Sequence, residues 1–311
     1  MNPKTAQARG FRHEAFFYSD NDEFLAGTVP YLEEGISAGE TVLVVLPEPR
    51  LRLVQESLGG AAEAVEFWQM GDVGRNPARL ISAWQDFLLT CDPEKGVRGL
   101  GEPISPGRSA AELEECELHE LLINLVFAEE RALTVMCPYD TSGLGDEILA
   151  GAERSHPVCR HPHGKAVSRR YSPEALLEGQ LSPPPRPAVT LPFGRADLAM
   201  VRHLVAQCAR SARLDTRRNE DLVLSVCEVA TNSIQHGGGA GTLDVWDEDG
   251  DLVCSIRDEG RIGDPLVGRK RPRPDQPSGR GLWIANQLCD LVQIRSSAAG
   301  TEVRLRMRFN G

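Results

Sequence analysis

The chain has 311 residues, of which 41% are hydrophobic, 25% charged and 5% aromatic. This composition is ordinary for globular proteins, so it excludes disorder along the whole chain and provides apolar residues for more than one core. The 34 basic and 45 acidic residues give a formal net charge of -11, which argues against a direct nucleic-acid partner because phosphates meet no broad basic surface.

The sequence also argues against a membrane protein. It contains no run of about 18 apolar residues, and Met1–Arg9 lacks the apolar segment of a signal peptide. We therefore expect no membrane partner and a cytoplasmic location. The eight cysteines form no Cys-x-x-Cys pair, and we interpret them as small core residues.

The first half of the sequence alternates apolar runs with amphipathic segments. The apolar runs, which predict strands, are Phe16–Tyr18, Val42–Leu46, Val65–Trp68, Val97–Leu100 and Leu133–Cys137. The amphipathic segments, which predict helices, are Glu23–Gly35, Arg50–Leu58, Ala78–Leu89, Ala111–Phe127 and Gly145–Gly151. This order predicts an α/β domain with a mostly parallel sheet and helices on its faces.

A proline-rich segment then separates two regions of different texture. Ser182–Pro187 favours extended polyproline II structure, so we predict a linker at 172–186 between domains at 11–171 and 187–311. The elements predicted after it are helices at Arg195–Arg213, Glu220–His236 and Gly281–Asp290 and strands at Thr242–Trp246, Leu252–Arg257, Leu291–Arg295 and Thr301–Phe309. The last strand alternates apolar with charged residues, which predicts one wet face, and the whole predicts an α+β two-layer sandwich.

A polar stripe lies on the helix predicted at Glu220–His236. Glu228, Asn232 and His236 are four residues apart, so they share one side of the helix beside its apolar face. A carboxylate and an amide in that place are unfavourable unless something pairs with them, and a metal-phosphate group would do so. A stripe that simply faces solvent is the alternative.

Two glycine-containing segments follow in the sequence. Asp258 at a strand end precedes Glu259-Gly260, where glycine lets the backbone approach a ligand. Gly279-Arg280-Gly281 precedes a helix, and amide groups at a helix N-terminus bind phosphate. Each segment alone is also typical of a structural turn, but their order together indicates a nucleotide site.

In that order, these segments resemble the boxes of the Bergerat-fold (GHKL, HATPase) ATP-binding domain, which gyrase, histidine kinases and anti-sigma factor serine kinases share. Glu228–Gly237 resembles the N-box of the anti-sigma branch, and Asp258-Glu259-Gly260 the start of the adenine-binding box. Gly279–Leu282 resembles the second glycine box and Gly300-Thr301 the terminal pair. The resemblance covers about Pro187–Phe309.

The resemblance implies ATP and Mg²⁺ as cofactors and a role for each matched residue. Asn232 would be the metal ligand, and Glu228 would be the catalytic base that orients an attacking hydroxyl. Asp258 would accept a hydrogen bond from the adenine amino group, with support from Thr301. The other ATP-binding positions that it implies are Gly260, Gly279, Arg280 and Gly281. One position departs from the pattern, because the second glycine of the adenine box falls at Ile262 and the nearest glycine is Gly263.

Among these families the anti-sigma kinases fit best. Only one predicted helix, which carries His203, precedes the N-box helix, so the phosphoacceptor hairpin of histidine kinases has no counterpart. The resemblance implies a bacterial regulator that binds a sigma factor and phosphorylates a serine on a STAS-type antagonist. The alternatives are a module that sequesters its partner without phosphoryl transfer, and a histidine kinase-like protein.

Segments of the first half resemble the MEDS sensory domain of bacterial regulators. They are Tyr18-Ser19-Asp20, Pro30–Gly35, Gly101-Glu102-Pro103 and Met136–Asp140, and the resemblance covers about Phe11–Tyr171. It implies a RecA-like three-layer fold without a nucleotide loop, and a sensing role for an unidentified ligand. Control of the second domain would act through the linker or through a homodimer.

His156–His163 is the one segment rich in metal-ligand residue types. Cys159 with His161 or His163 would suit a soft metal, yet the spacing fits no zinc pattern, so we interpret the segment as a polar loop. We interpret His119 as a surface or capped histidine. The acidic residues interpreted as a solvated helix face are Glu112, Glu114, Glu115 and Glu117.

Overall fold

The computed structural model describes residues 10–128, 132–162, 164–172, 180–184, 187–272 and 279–309. The chain forms two compact units, Met1–Leu176 and Leu177–Gly311. Much of the predicted linker, residues 173–179 and 185–186, lies outside the described residues. Among the helices that are described, none is long and apolar enough to cross a lipid bilayer.

A seven-stranded sheet in the order β3-β2-β4-β5-β1-β6-β7 forms the centre of the first unit. The strands are β1 (Phe11–Tyr18), β2 (Thr41–Leu46), β3 (Val65–Gln69), β4 (Val97–Gly101), β5 (Leu133–Asp140), β6 (Val158–His161) and β7 (Gly164–Val167). The helices are α1 (Asn21–Ser37), α2 (Glu48–Leu58), α3 (Met70–Val73), α4 (Leu80–Thr90), α5 (Ala110–Val126) and α6 (Asp146–Ser155). Only β7 runs antiparallel to its neighbour, so the predicted mostly parallel sheet is confirmed.

Helices cover both faces of this sheet because its strands are apolar on both sides. Leu100 of β4 belongs to the core that packs under α1 and α2. Its neighbour Gly99 faces the opposite side, where a side chain would collide with the Trp84 ring of α4. The first unit therefore has three layers.

The second unit is a five-stranded antiparallel sheet in the order β11-β12-β10-β9-β8. Its strands are β8 (Val189–Gly194), β9 (Ala240–Glu248), β10 (Asp251–Asp258), β11 (Leu291–Ser297) and β12 (Gly300–Arg308). Its helices are α7 (Leu198–Ser211), α8 (Thr216–His236) and α9 (Gly281–Leu288), which share one apolar core with the sheet. The predicted α+β sandwich is confirmed, whereas the edge strand β8, which contains Pro192, was not predicted.

The prediction of a wet face on the last strand is wrong for two of its arginines. Arg304 and Arg306 are only 4% and 7% exposed. Arg304 pairs with Glu302 at 2.7 Å and lies 5.1 Å from the centre of the Trp246 ring, and Arg306 pairs with Glu248 at 2.5 Å. Ion pairing and packing of the long side-chain stems allow these charged residues to be covered.

Three other sequence interpretations have different outcomes. The cysteines are free, and five of the eight are buried, in agreement with core positions. The acidic residues of α5 do not form one solvated face, because Glu112 is 9% exposed and Glu115 is fully buried. His119 is also buried, at 3% exposure, so the surface interpretation is wrong.

The close fit of α4 against β4 makes Gly99 sensitive to substitution. We expect Gly99→Ala to lower the free energy of unfolding by about 1–3 kcal/mol, because the added methyl group overpacks the contact with Trp84. Urea unfolding followed by tryptophan fluorescence measures this change. Gly101→Ala is the matched control, since its methyl group would lie 4.0 Å from the same ring, and equal losses in both variants would contradict the packing argument.

Candidate functional site

Helix α8 positions the polar stripe beside the core of the second unit. The Asp215 side chain caps the helix by accepting from the Arg218 amide at 2.8 Å. The apolar side of α8 is buried, which leaves Glu228 and Asn232 half-buried at its margin. With respect to the part of the chain that is described, neither side chain makes a hydrogen bond or an ion pair.

The start of α9 packs directly against this stripe. A β-carbon on Gly281, the first residue of α9, would lie 2.8 Å from Glu228 Oε2 and 3.2 Å from Asn232 Nδ2. The close approach therefore needs glycine at this position. The first amide groups of a helix have no acceptor within the helix, so this contact brings such donors next to a carboxylate and an amide that have no partner among the described residues.

Asp258, at the end of β10, joins α8 to the sheet. Its carboxylate accepts from the Ser233 hydroxyl at 2.6 Å and from the Gly260 amide at 2.8 Å. Thr301 stands opposite Asp258 in the antiparallel pair and donates its hydroxyl to the Gly260 carbonyl at 2.9 Å. Asp258, Gly260 and Thr301, which lie far apart in the sequence, thus meet at one place.

Sequence reasoning missed Ser233 as the partner of Asp258. Ser233 follows Asn232 directly on α8, and it is 1% exposed. A small hydroxyl one residue away from a predicted metal ligand was the only signal in the sequence. Its role became visible when the strand end was placed against the helix.

The displaced glycine of the adenine box has a clear structural outcome. The Ile262 amide donates to the Ser296 hydroxyl at 2.8 Å, and the Ile262 side chain packs on the core. A β-carbon on Gly263 would meet nothing within 4 Å. The backbone at Gly263 therefore has no close approach that would require glycine, and the Ile262 side chain occupies space beside the cavity.

A cavity of ≈ 330 Å³ lies between α8, the end of β10 and the start of β12. Its volume is within the range of small-molecule sites. The predicted site residues that line it are Asn232, Asp258, Gly260, Gly279 and Thr301, and Ile262 lines it as well. Gly281 lies beside it, next to Asn232, and Glu228 adjoins Gly281; Arg280 is the exposed residue that precedes α9. Arg273 and Ser278 lie outside the described residues.

Comparison with protein families agrees with this geometry. Residues 191–307 match the model described as histidine kinase-like ATPase domain. Residues 12–157 match the MEDS model, described as MEthanogen/methylotroph, DcmR Sensory domain. The chain joins a MEDS domain to a GHKL-type ATPase domain. No curated protein matches the chain in sequence.

Solved structures resemble the chain in part. The RsbU and RsbW domains of Rv1364c from Mycobacterium tuberculosis are 20% identical, with 40% of this chain and 33% of that chain covered and a TM-score of 0.31. The SiaB-SiaC complex from Pseudomonas aeruginosa is 15% identical, with 39% and 88% covered and a TM-score of 0.31. The Acinetobacter baumannii histidine kinase AdeS is 11% identical, with 40% and 68% covered and a TM-score of 0.24. The aligned part spans a third of the mycobacterial chain.

The MEDS domain has a polar cluster at the carboxyl ends of its parallel strands. Tyr18 ends β1 and donates its hydroxyl to Glu102 Oε1 at 2.7 Å, directly after β4. Arg50 of α2 lies 3.4 Å from Glu102 Oε2, donates to Asp140 of β5 at 3.0 Å, and covers the Tyr18 ring at 4.5 Å. Three of the segments that carried the MEDS resemblance therefore converge on one edge, where α/β sheets commonly bind ligands.

Burial dominates the electrostatics of this cluster. Glu102 is fully buried, and desolvation raises its pKa from 4.5 to about 7, against the opposing effects of Arg50 and the Tyr18 hydroxyl. The neighbouring Asp140 carboxylate adds to the rise. The proton on Glu102 is therefore bound more tightly in the folded chain than in the unfolded chain.

The interpretation of His156–His163 as a polar loop is wrong. Residues Val158–His161 form β6, His156 is fully buried and Cys159 is 7% exposed. His161 is exposed on that strand, and His163 lies outside the described residues. Within the described ranges, neither Cys159 nor His161 belongs to a group of metal-ligand side chains.

Gly260 and Gly263 should differ in their response to substitution, because Gly260 lies in the backbone contact between α8 and the adenine box. A β-carbon on Gly260 would lie 2.7 Å from both Gly237 Cα and the His236 carbonyl oxygen. We expect Gly260→Ala to lower the stability of the second unit by about 1–3 kcal/mol, measured by calorimetric unfolding. Gly263→Ala should leave it unchanged, and a larger loss for Gly263→Ala than for Gly260→Ala would refute the assignment of the close approach.

The raised pKa of Glu102 predicts a pH dependence of stability. Because the folded chain holds this proton more tightly, the contribution of Glu102 to the free energy of unfolding falls as pH rises from 4.5 to about 7. The fall amounts to at most about 3 kcal/mol. Glu102→Gln should remove it in urea unfolding measured across this pH range, whereas the exposed control Glu56→Gln should retain it. Identical pH profiles for Glu102→Gln and the unmodified chain would show that the carboxyl titrates normally.

Proposed function

We propose that the second domain binds ATP with Mg²⁺ and transfers the γ-phosphate to a serine of a partner protein. The observation that carries this proposal is the Glu228–Asn232 pair, which has no partner among the described residues and lies against the start of α9, beside a cavity that Asp258 and Thr301 also line. Phosphoryl transfer depends on positioning and on charge stabilisation, and this arrangement provides groups for both.

The residues beside α9 fit a bound metal-phosphate group. The Asn232 side chain has no partner among the described residues, and its carboxamide oxygen is the kind of ligand that Mg²⁺ takes. Glycine at 281 lets the backbone at the start of α9 come close to both side chains, because a β-carbon there would collide with Glu228. Bound Mg²⁺ would neutralise charge on the phosphates. The amide groups at the start of α9 and the exposed Arg280 add positive potential on the same side.

Asp258 suits the adenine end of the nucleotide. Its carboxylate oxygens have about four acceptor positions, of which Ser233 and Gly260 use two. The remaining positions can accept from an exocyclic amino group. The bonds from Ser233 and Gly260 hold the carboxylate in a fixed orientation, with Thr301 behind the Gly260 carbonyl.

Glu228 is the group that would accept the proton of an attacking hydroxyl. It is half-buried next to Asn232, and the part of the structure that is described gives it no cation or donor. A carboxylate without a partner remains available as a general base. We assign this role to Glu228 and metal binding to Asn232.

The partners follow from the resemblance to the anti-sigma branch, and we propose them on that basis. The chain would bind a sigma factor and phosphorylate a STAS-type antagonist, and the MEDS domain would control this activity in response to its ligand. The match of residues 12–157 to a family described as sensory supports the regulatory part of the proposal.

Calorimetric titration of Mg²⁺–ATP into the full chain tests the binding step. The unmodified chain and Glu228→Gln should bind with similar affinity, because Glu228 acts on the hydroxyl and not on the nucleotide. Asn232→Ala should weaken binding at least about tenfold, since the metal ligand is lost. A folded, unmodified chain that binds no nucleotide would refute the proposal. The Ile262 side chain beside the cavity would then be the first explanation for the loss of binding.

Transfer of labelled phosphate to a STAS-type protein tests the chemical step. Glu228→Gln should reduce the rate by roughly 10²–10⁴-fold, the usual contribution of a general base. Equal rates for Glu228→Gln and the unmodified chain would show that Glu228 is not the general base. ATP binding without label on any partner would favour the sequestration module, and acid-labile label on the chain itself would favour a histidine kinase.

A further inference from the structure

Four metal-ligand side chains meet inside the MEDS domain, away from the polar cluster at the strand ends. They are His13 of β1, Glu120 of α5, Cys137 of β5 and His156 directly after α6, and one ligand atom from each lies within 4.8 Å of all the others. None of the four residues is more than 3% exposed. Solvent therefore does not reach this group, and the four side chains must satisfy one another or hold something.

The fold brings these residues together from distant parts of the chain. In the parallel pair of β1 and β5, Ala15 is opposite Cys137, so His13 lies two residues away on the same face of the sheet. His13 Nε2 is 2.9 Å from Glu120 Oε2 and 3.3 Å from Cys137 Sγ. His156 Nε2 is 3.3 Å from the same Glu120 oxygen. The ligand atoms of both histidines and of Cys137 are therefore gathered around the Glu120 carboxylate.

Hydrogen bonds outside the cluster orient both imidazole rings. The Asn124 amide nitrogen donates to the carbonyls of Glu120, Leu121 and Ser155, which leaves its oxygen to accept from His13 Nδ1 at 3.1 Å. His156 Nδ1 donates to the Ala152 carbonyl at 2.9 Å. With the proton of each neutral ring on Nδ1, both Nε2 lone pairs face the centre, which is the orientation of metal-bound histidines.

When the rings are neutral with their protons on Nδ1, the Cys137 thiol is the only donor among the four ligand groups. His156 Nε2 and Glu120 Oε1 are buried and have no hydrogen-bond partner in the part of the chain that the structure describes. One thiol proton does not satisfy two nitrogen lone pairs and a carboxylate, which is unfavourable in a dry interior. One cation at the centre would satisfy all four groups at once.

The ligand types select the metal. Two imidazoles, a thiolate and a carboxylate suit Zn²⁺ and do not suit Mg²⁺ or Ca²⁺. Zinc-ligand bonds of about 2.0–2.3 Å give a tetrahedron with edges of about 3.3–3.7 Å, and the distances from His13 Nε2 to Cys137 Sγ and from His156 Nε2 to Glu120 Oε2 are both 3.3 Å. His13 Nε2 and Glu120 Oε2 are closer, at 2.9 Å, so this pair has to move apart slightly when the ion binds.

We propose that His13, Glu120, Cys137 and His156 bind one Zn²⁺ ion in a closed site with no open coordination position. The ion links β1 and β5 to α5 and to the end of α6, so it ties helices of one layer to the central sheet. The thiol of Cys137 loses its proton on binding. This site is independent of the nucleotide site of the second domain.

Metal analysis and Co²⁺ substitution of the full chain test the site. The chain is stripped with a chelator, reloaded with Zn²⁺ or Co²⁺ and passed through gel filtration. We expect one tightly held ion per chain, a raised midpoint of thermal unfolding, and a Co²⁺ spectrum with tetrahedral bands and a thiolate charge-transfer band. Cys137→Ser should abolish the charge-transfer band. Cys116→Ser is the matched control, because Cys116 is a fully buried thiol of α5 that donates to the Pro103 carbonyl outside the cluster.

The unmodified chain decides the outcome even if a variant fails to fold. A folded chain that retains no Zn²⁺ after reloading would overturn the proposal, and so would a Co²⁺ spectrum without a thiolate band. The four side chains would then form a proton-linked hydrogen-bond network. Loss of the band in Cys116→Ser but not in Cys137→Ser would also overturn it. ATP titration of the same samples keeps this result separate from the kinase proposal.

Discussion

The ATPase domain depends on the Asp258 carboxylate, which holds a helix and a strand end together. Asp258 accepts from Ser233 of α8 and from the Gly260 amide beyond β10. A side chain on Gly237 would collide with this carboxylate, so the end of α8 and the adenine box are packed backbone against backbone. Once this contact is made, α8 has one orientation over the sheet, and the start of α9 fits against Glu228 and Asn232.

The same contact explains why a box with a displaced glycine still forms. The close backbone contact of this loop is at Gly260, and Ile262 lies beyond that contact. The Ile262 amide is paired with Ser296, whose hydroxyl also bonds Thr301 at 2.8 Å. Serine and threonine hydroxyls therefore hold the loop, and the isoleucine contributes an apolar wall to the cavity.

The MEDS domain uses two different ways to bury polar groups. At the strand ends, Arg50 and Tyr18 surround Glu102, so the carboxyl is paired yet kept from water. Beneath α5, the buried groups are histidine, cysteine and glutamate, and donors are scarce. The first arrangement is at the carboxyl edge of the sheet, where α/β proteins commonly bind ligands, whereas the second is enclosed by the core. Ligand sensing at the strand ends and structural metal binding beneath α5 would thus occupy separate positions of the same sheet.

Local pattern was sufficient for most of the elements and for the resemblance to the GHKL-type ATPase domain. Apolar runs buried on both faces, helical spacing around Val226 and Ala230, and glycines at the ends of elements are properties of short segments, so the sequence alone predicted both fold classes. It could not predict Ser233 beside Asp258, the burial of Arg304 by Glu302 and Trp246, or the meeting of His13, Glu120, Cys137 and His156. These depend on strand order and on the helix packed over each face. Residues more than a hundred positions apart become neighbours only when the sheet is assembled, because no periodicity within a segment encodes which strand lies beside it.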